Sequence, residues 1–486
     1  MSNSLNNLEP KAIWTHFAEL CNIPRPSKKE KNAVEFAAAF GRKLGLETVV
    51  DSVGNVVIRK PATKGMENRK GIVLQGHLDM VPQKNSDVQH DFEKDPIQPY
   101  IDGEWVKAKG TTLGADNGVG VATGMAILES KDIPHGPIEV LLTVDEETGM
   151  TGAIELKPGL LKGDILINLD SEDEDELCIG CAGGLNASTT AKYAEEPTPA
   201  GYAACKLSLR GLKGGHSGVD IHLGRGNANK FMSRFLRKAA QKFGIRLNYV
   251  EGGNLRNAIP REAFAIVALP AAQQNAFCAY VKEFEAILKN EFKNTEPELS
   301  FVCEKTAAPA KVMKADFQMR FVNAVFGCPN GVARMNDAIP GLVETSNNLA
   351  VVKAENGEAR VLCLLRSSVD SAKEGLAERI AGIFELAGIE MVFDGGYPGW
   401  KPNPDSAILA TMKGIYERKF GSTPHIRAIH AGLECGIIGG AYPNLDMVSC
   451  GPTIKFPHSP DEKVNVASVQ HFWDFLLDTL KNAPVK

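Results

Sequence analysis

The stretch "IVLQGHLDM" (residues 72–80) combines the pattern of a buried strand with two polar side chains. It begins with three apolar residues, as expected for a strand that is buried on both faces of a parallel sheet, but His77 and Asp79 follow. Side chains alternate along a strand, so these two point to the same face. Because ligands bind beyond the carboxyl ends of the strands in open parallel sheets, the stretch predicts a ligand site at the end of this strand.

Polar side chains also follow other apolar runs of the chain. "EVLLTVDEETG" (139–149) becomes acidic at its end and contains Glu146 and Glu147, and "DILINLDSED" (164–173) changes in the same way at Asp170. "GPTIKFPHSPDE" (451–462) places His458 in a loop after a further strand. Parallel strands end at one edge of a sheet, so we expect these side chains to lie close to His77.

Asp116 lies in the glycine-rich turn "KGTTLGADNGVGVA" (109–122), at the predicted start of a helix. Taken alone, such an aspartate is typical of a helix N-cap. Taken with two histidines and other carboxylates at strand ends, it indicates a cation, because unpaired buried charges are costly. Imidazole and carboxylate ligands suit zinc, with cobalt or manganese as substitutes. Two histidines and at least three carboxylates are too many ligands for one catalytic zinc site, and they suit two divalent ions that share a carboxylate.

The chain predicts one α/β domain interrupted by a second domain. Residues 1–187 alternate strand-like and helical patterns, which is typical of a mostly parallel sheet flanked by helices, and residues 392–486 resume this pattern. Residues 188–391 instead predict an inserted α+β domain with an antiparallel sheet. Within the insert, Asn356-Gly357 between two alternating runs predicts a hairpin.

Charge and composition narrow the class of protein. The net charge is −5 over 486 residues, with basic residues scattered rather than clustered, which argues against nucleic acid and anionic membranes as partners. No apolar run is long enough to cross a membrane and the first residues lack a secretory pattern, so we expect a cytoplasmic protein. The ten cysteines indicate reduced thiols, although Cys178 and Cys181 leave a redox or structural zinc role open.

Five motifs in order resemble one known enzyme family. They are "GHLDMVP" (76–82), "GTTLGADNGVGVA" (110–122), "LLTVDEETGMTGA" (141–153), "LINLDSE" (166–172) and "GPTIKFPHSPDE" (451–462). Together they resemble the di-zinc peptidases of carboxypeptidase G, aminoacylase and dipeptidase type. The likeness is strongest to the bacterial aminoacyl-histidine dipeptidases and extends over nearly the whole chain. In this family, aspartate at position 170 is typical of peptidases and dipeptidases, whereas carboxypeptidases tend to carry glutamate.

The resemblance implies a role for each candidate residue. The implied metal ligands are His77, Asp116, Glu147, Asp170 and His458, with Asp116 bridging the two ions. Asp79 would orient His77, and Glu146 would be the general base that activates a metal-bridging hydroxide. The insert corresponds to a lid domain, in which His216 would help to polarise the scissile carbonyl. The other implied substrate-binding residues are Asn257, Arg366, His430 and Glu434.

The sequence therefore predicts a cytoplasmic, zinc-dependent dipeptidase that hydrolyses unblocked dipeptides. Aminoacyl-histidine substrates, including β-alanyl-histidine, are implied by the resemblance, as is a homodimer. His216 would act within its own chain or from a partner subunit. Two other functions remain open: a deacylase or amidohydrolase on the same scaffold, and a catalytically silent peptide-binding protein.

Overall fold

The computed structural model describes residues 5–486, which form two compact units. The first unit comprises the described residues up to Gly180 together with Trp400–Ala428 and Leu433–Lys486. The second comprises Cys181–Gly399 and the short segment Ile429–Gly432. The domain boundaries after residues 187 and 391, and the role of the insert as a lid, stay predictions.

The helices and strands are numbered in chain order. The α-helices are α1 (Lys11–Cys21), α2 (Lys31–Lys43), α3 (Ala115–Glu129), α4 (Glu146–Gly149), α5 (Thr151–Glu155), α6 (Ala228–Phe243), α7 (Gln274–Glu291), α8 (Ala315–Gly327), α9 (Asp370–Leu386), α10 (Ala407–Phe420), α11 (Glu434–Ala441) and α12 (Val466–Lys481). Short 3₁₀ helices span Leu5–Asn7, Ile221–Leu223 and Ala271–Gln273.

The strands of the first part of the chain are β1 (Glu47–Val50), β2 (Val56–Lys60), β3 (Ile72–His77), β4 (Pro99–Asp102), β5 (Trp105–Ala108), β6 (Ile138–Thr143), β7 (Ile165–Asn168) and β8 (Glu176–Cys181). They are followed by β9 (Gly183–Lys192), β10 (Glu195–Pro197), β11 (Tyr202–Arg210), β12 (Gly215–His216), β13 (Arg246–Gly252), β14 (Ala258–Ile259), β15 (Ala263–Pro270), β16 (Ser300–Thr306), β17 (Lys311–Met313), β18 (Gly331–Met335), β19 (Val343–Glu355), β20 (Glu358–Ser367) and β21 (Val392–Tyr397). The last strands are β22 (His425–Ile429), β23 (Asp446–Ser449), β24 (Ile454–Lys455) and β25 (Lys463–Asn465).

The main sheet of the first unit has a parallel centre. Its strand order is β1-β2-β6-β3-β7-β23-β8-β22, and β6, β3, β7 and β23 run parallel to their neighbours within this centre. Every residue of β3, β6 and β7 is buried, which matches their nearly continuous apolar sequences. The antiparallel pairs β1–β2 and β2–β6 extend one side of the sheet. The predicted α/β class with a mostly parallel sheet is confirmed.

The second unit is built on an antiparallel sheet, as predicted for the insert. Its strand order is β16-β11-β15-β13-β19-β20-β9-β21, and β18 pairs with β19. Phe235 of α6 packs edge-on against Phe301 of β16, with ring centroids 5.0 Å apart, in the core beneath this sheet. The predicted hairpin joins β19 to β20, and Asn356 and Gly357 both have the positive φ (51° and 79°) that a tight hairpin turn requires.

Two further features of the described chain concern membrane-spanning helices and disulfides. No helix among residues 5–486 is both long and apolar enough to cross a membrane. No disulfide joins any of the ten cysteines, all of which lie among the described residues, and Cys278 and Cys303 are only partly buried.

Candidate active site

The end of β3 brings His77 against three carboxylates. His77 is fully buried, and its Nδ1 lies 3.3 Å from Asp79 Oδ1. Its Nε2 lies 3.0 Å from Asp116 Oδ1 and 3.4 Å from Asp170 Oδ1. Burial alone would lower the pKa of His77, but Asp170, Asp116 and Asp79 outweigh it and hold this pKa well above its usual value. The structure thus brings together four of the candidate residues.

Asp116 also contacts the second histidine of the candidate set. Its Oδ2 lies 3.2 Å from His458 Nε2, and the same nitrogen lies 2.9 Å from Glu147 Oε2. The two oxygens of Asp116 therefore face two different imidazoles. Hydrogen bonds from His458 to Asp116 and Glu147 raise the pKa of this histidine to about 11.

The alternative in which Asp116 caps α3 does not hold. The residue at the cap position is Gly114, and it makes no side-chain capping bond. Asp116 has extended rather than helical backbone angles (φ −80°, ψ 108°), and its carboxylate pairs with His77 and His458 rather than with the backbone at the helix start. Its oxygens meet the two histidines instead.

Asp79 joins the strand end to the acidic pair that follows β6. Its Oδ1 accepts a hydrogen bond from the Glu146 backbone N–H (3.0 Å), and its Oδ2 accepts from the Glu147 N–H (3.2 Å) and from Ser27 Oγ (2.8 Å). Burial opposes its charge, but His77, Ser27 and the backbone donors lower the pKa of Asp79 to about 2. The carboxylate is therefore ionised and holds both glutamates in place.

Glu146 is half-buried, close to other carboxylates. Burial raises the pKa of its carboxyl well above the usual value, and the charge of Asp170 adds to this effect while that of His77 opposes it. Burial likewise raises the pKa of Asp170 to about 6. A carboxyl group with a raised pKa can both accept and return a proton near neutral pH, which is what general acid–base catalysis requires.

The residues present fit two divalent cations. One group of donors consists of His77, Asp116 and Asp170, and a second consists of Asp116, Glu147 and His458; within each, one donor atom per residue lies within 4.8 Å of the others. Glu147 Oε1 is buried and has no hydrogen-bond partner among residues 5–486, so it is left for a cation to satisfy. Imidazole and carboxylate are the donors that zinc accepts in catalytic sites.

Sequence reasoning missed Glu462, which holds the loop that carries Asp116. Its buried carboxylate accepts hydrogen bonds from the four consecutive backbone N–H groups of residues 113–116, at 2.7 to 3.2 Å. Burial raises its pKa to about 7, although these backbone donors act in the opposite direction. The signal was present, because Glu462 ends the motif "GPTIKFPHSPDE" that also contains His458.

Arg25 was missed as well and acts on the same loops. Its buried guanidinium donates to the backbone oxygens of Leu78 (3.0 Å), Asp79 (2.9 Å) and Gly114 (2.6 Å). It therefore ties the end of β3 to the turn before Asp116. No sequence pattern around Arg25 indicates this, since its partners are backbone atoms far along the chain.

Glu434, expected to bind substrate, lies buried in the first unit against the parallel sheet. Its Oε2 accepts hydrogen bonds from Gln75 Nε2 (2.6 Å) and Thr143 Oγ1 (2.7 Å). Burial raises the pKa of its carboxyl to about 8. Gln75 was also missed, although it precedes His77 by two residues and so faces the same side of β3.

Three of the residues expected to contact substrate lie together in the second unit around Gly218. A Cβ at Gly218 would lie 2.1 Å from the His430 backbone oxygen, 3.1 Å from His216 Cε1 and 3.2 Å from Arg366 Nε, so only glycine fits there. Arg366 Nε is also 3.4 Å from Ser217 Oγ. The structure therefore groups His216, Arg366 and His430 within one unit.

The hydrogen bonds of this group set the protonation of its histidines. His216 Nδ1 accepts from the backbone N–H groups of Gly218 and Val219, both at 3.2 Å, which leaves the proton of the neutral ring on Nε2. Burial, and then Arg366, lower the pKa of His216. The same two causes lower the pKa of His430 to about 3, and its Nε2 pairs with Ser346 Oγ at 2.7 Å.

Asn257 is attached to the same loop through its backbone. Its carbonyl oxygen accepts a hydrogen bond from the Ser217 N–H at 2.8 Å, and the residue is exposed. The expected contact of its side chain with substrate stays a prediction.

Comparisons with known proteins identify the family of the chain. The model of peptidase family M20/M25/M40 matches residues 73–482. The chain is 48% identical over 484 residues to the cytosol non-specific dipeptidase of Escherichia coli K12, covering 100% of both chains. The crystal structure of aminoacylhistidine dipeptidase from Vibrio alginolyticus superposes with a TM-score of 0.96 at 52% identity, covering 99% of each chain. Aminopeptidase PepT from Bacillus cereus shares the fold alone, with a TM-score of 0.56 at 16% identity over 98% of each chain. The chain therefore belongs to peptidase family M20/M25/M40 and is a peptide hydrolase.

Proposed function

We propose that this protein is a cytosolic dipeptidase that uses two zinc ions to hydrolyse unblocked dipeptides. The observation that carries the proposal is the position of Asp116, whose two oxygens face His77 at 3.0 Å and His458 at 3.2 Å. A carboxylate between two sets of donors is what a pair of ions with one bridging ligand needs. Full-length similarity to two named dipeptidases supports the substrate class.

In this proposal His77, Asp116 and Asp170 would hold the first ion, and Asp116, Glu147 and His458 would hold the second. When bound, the ions would polarise the peptide carbonyl and make a water molecule more acidic. Cobalt or manganese would fit the same donors, although zinc suits this mixture of imidazole and carboxylate best.

Glu146 is the proposed general base. Its carboxylate takes a proton from the attacking water and passes that proton to the departing amine, which its raised pKa favours. Asp79 positions both Glu146 and His77, because its carboxylate accepts a hydrogen bond from the Glu146 backbone N–H and lies 3.3 Å from His77 Nδ1. The imidazole is thereby held with Nε2 towards Asp116 and Asp170.

The group in the second unit is proposed to bind substrate. The Nε2–H of neutral His216 is a donor for the oxygen of the scissile carbonyl, and the guanidinium of Arg366 suits the terminal carboxylate of a dipeptide. Asn257 and His430 complete this proposed set in the second unit, and Glu434 of the first unit is proposed separately as a substrate-binding residue. We propose residues 188–391 as the lid domain that carries most of these groups.

The substrate specificity, the location and the oligomeric state are proposed from similarity to known proteins and not from contacts within the structure. Aminoacyl-histidine substrates, including β-alanyl-histidine, are proposed because a structure 52% identical in sequence is named an aminoacylhistidine dipeptidase. Location in the cytosol follows the name of the relative from Escherichia coli. A homodimer is proposed from the family resemblance of the sequence, and sedimentation of the purified protein at micromolar concentration would test it.

A panel of substrates tests the function. The metal-free chain would be loaded with zinc, cobalt or manganese and assayed with free dipeptides, with and without C-terminal histidine, beside their N-acetylated counterparts. We expect hydrolysis of the free dipeptides only, with chelation abolishing it and zinc restoring it. Faster release from the acetylated compounds would instead support a deacylase, and no hydrolysis under any condition would contradict the enzyme proposal.

A further inference from the structure

Three cysteines of the second unit converge outside the candidate active site. Cys205 of β11 and Cys303 of β16 lie on neighbouring antiparallel strands, where Cys205 pairs with Lys305 and Cys303 with Leu207. They are therefore diagonal neighbours on one face of the sheet. Cys278 of α7 meets them: its Sγ lies 3.9 Å from that of Cys205 and 2.7 Å from that of Cys303. All three sulfurs lie within 4.8 Å of one another.

The cluster is open to solvent on one side. Cys205 is fully buried, whereas Cys278 and Cys303 are partly exposed. β16, which carries Cys303, is an edge strand of its sheet. The cluster contains sulfur only, with no imidazole or carboxylate among its donors.

Local electrostatics favour a thiolate at Cys205 alone, because burial raises the pKa of Cys278 and the hydrogen bond with Cys205 raises the pKa of Cys303. The hydrogen bond with Cys303, followed by those with Cys278 and Gln274, lowers the pKa of Cys205 to about 7 against the effect of burial. The positive charge of Lys305 acts in the same direction. A thiolate is the form of cysteine that binds metals.

We propose that Cys205, Cys278 and Cys303 bind one soft, thiophilic cation with a filled d shell, such as Cu(I), through three thiolates. A metal–sulfur bond of about 2.3 Å gives sulfur–sulfur edges of about 4 Å in a trigonal site, and Cys205 and Cys278 already stand 3.9 Å apart. Cys278 and Cys303 would separate by about 1 Å through rotation of their partly exposed side chains. Each thiol releases its proton to water as its sulfur binds, with no change of oxidation state.

An all-sulfur site selects a different class of ion from the candidate active site. Thiolates favour soft cations such as Cu(I) and Cd²⁺ and also bind zinc, whereas carboxylate-containing sites suit zinc and harder ions but not Cu(I). Absorption from thiolate-to-metal charge transfer arises only where sulfur is the ligand. It therefore reports on this cluster even when the same ion also binds to His77 and its neighbours, and it does not depend on catalytic activity.

The test titrates the reduced, zinc-loaded full-length protein with Cd²⁺ in the absence of oxygen. We expect charge-transfer absorption that saturates at one ion per chain, with three thiols becoming unreactive to a thiol reagent. Cys205→Ser, Cys278→Ser and Cys303→Ser should each weaken Cd²⁺ binding at this band at least about tenfold, since each removes one of three ligands. Cys450→Ser, which changes a buried cysteine of the first unit, is the matched control and should leave the band unchanged.

Two results would overturn the site. One is the absence of a sulfur band in the reduced wild-type protein. The other is a band that depends on Cys278 and Cys303 but survives Cys205→Ser, which would indicate a two-thiol pair that is prone to form a disulfide. If Cys205→Ser lowers the unfolding temperature markedly, Cys205→Ala decides, because it removes the ligand without burying a hydroxyl group.

Discussion

The carboxylate of Asp79 accepts a hydrogen bond at 3.0 Å from the backbone N–H of Glu146, the proposed general base. The same carboxylate lies 3.3 Å from His77 Nδ1. One buried side chain thus orients a proposed metal ligand on β3 and the proposed base that follows β6. Catalytic groups held by such surrounding hydrogen bonds need no rearrangement when substrate arrives.

The change Asp79→Asn tests this double role. Asparagine has the same shape as aspartate but presents an amide N–H₂ to one of the donors that now surround the carboxylate. It also no longer favours the tautomer of His77 that carries its proton on Nδ1. We expect metal affinity to fall about 10- to 100-fold and kcat to fall with it even at saturating zinc. Metal retained after dialysis and kcat at excess zinc would be measured, with the exposed Asp102→Asn as control. An unchanged metal affinity would contradict the orienting role.

Glu146→Gln tests the general base. Glutamine is the same size but cannot take a proton, so kcat should fall about 10²- to 10⁴-fold with little change in KM. Two zinc ions should still bind, because Glu146 is not a proposed ligand. Glu155→Gln, at an exposed position, should leave kcat unchanged. Unaltered turnover by Glu146→Gln would show that the proposed mechanism is wrong.

Asp116→Asn tests the bridge between the two ions. The change removes one negative charge that both donor groups share, so we expect fewer than two zinc ions per chain and a loss of activity of at least about a hundredfold. Elemental analysis after gel filtration gives the stoichiometry. Asp175→Asn, at an exposed site, serves as the control. Retention of two tightly bound ions would contradict the bridging assignment.

Glu462→Gln tests the support of the Asp116 loop. The neutral amide accepts fewer of the four backbone N–H groups and presents donors of its own, so the loop should loosen. We expect metal affinity to fall about 10- to 100-fold, with kcat largely recovered at high zinc because no proposed ligand is lost. Asp461→Asn, the exposed neighbour, is the control. A loss of kcat that excess zinc does not reverse would argue against a positioning role.

The buried His430 predicts a loss of stability in acid. Burial and Arg366 hold its pKa at about 3 in the folded chain, against an ordinary value of 6.5. Below pH 6.5 the unfolded chain takes up a proton that the folded chain refuses, so this contribution is complete above pH 6.5 and is lost as the pH falls towards 3. Between pH 6.5 and 5 the loss amounts to about 2 kcal/mol.

The measurement compares unfolding midpoints of the wild type and His430→Asn at several pH values. The variant should lose less stability than the wild type on acidification, whatever its stability at neutral pH. His425→Asn, at an exposed histidine, should follow the wild type. Parallel pH profiles for the wild type and His430→Asn would contradict the prediction.

The central parallel strands could be predicted from their nearly continuous apolar runs, and several helices could be predicted from a helical period. "AILATMKGIYERKF" is α10 from its first residue to its last, and the apolar runs around 72 and 138 are β3 and β6. Strand β9 (Gly183–Lys192) was missed, because its small and polar residues show no apolar alternation. It is held by its pairing with β20 and β21 on both sides, which is a tertiary effect.

The candidate site could be predicted where function required an unusual residue in an apolar run. His77, Asp79 and Asp170 are conspicuous for that reason. Arg25 and Glu462 were not conspicuous, because their hydrogen bonds are to backbone atoms. The backbone geometry of a loop cannot be read from the residue types around it. The cysteine cluster was equally hidden, because its members come from two strands and a helix that are far apart in the chain.

The segment Ile429–Gly432 belongs to the second unit although the chain on either side of it belongs to the first. A fragment excised as residues 181–399 would therefore lack His430, and Ser346 would lose the imidazole that lies 2.7 Å from its hydroxyl. Grafting this unit onto another protein as a single piece would leave its histidine group incomplete. A protein designed to contain only the second unit therefore has to include residues 429–432 as a separate segment, or a linker that supplies the same imidazole.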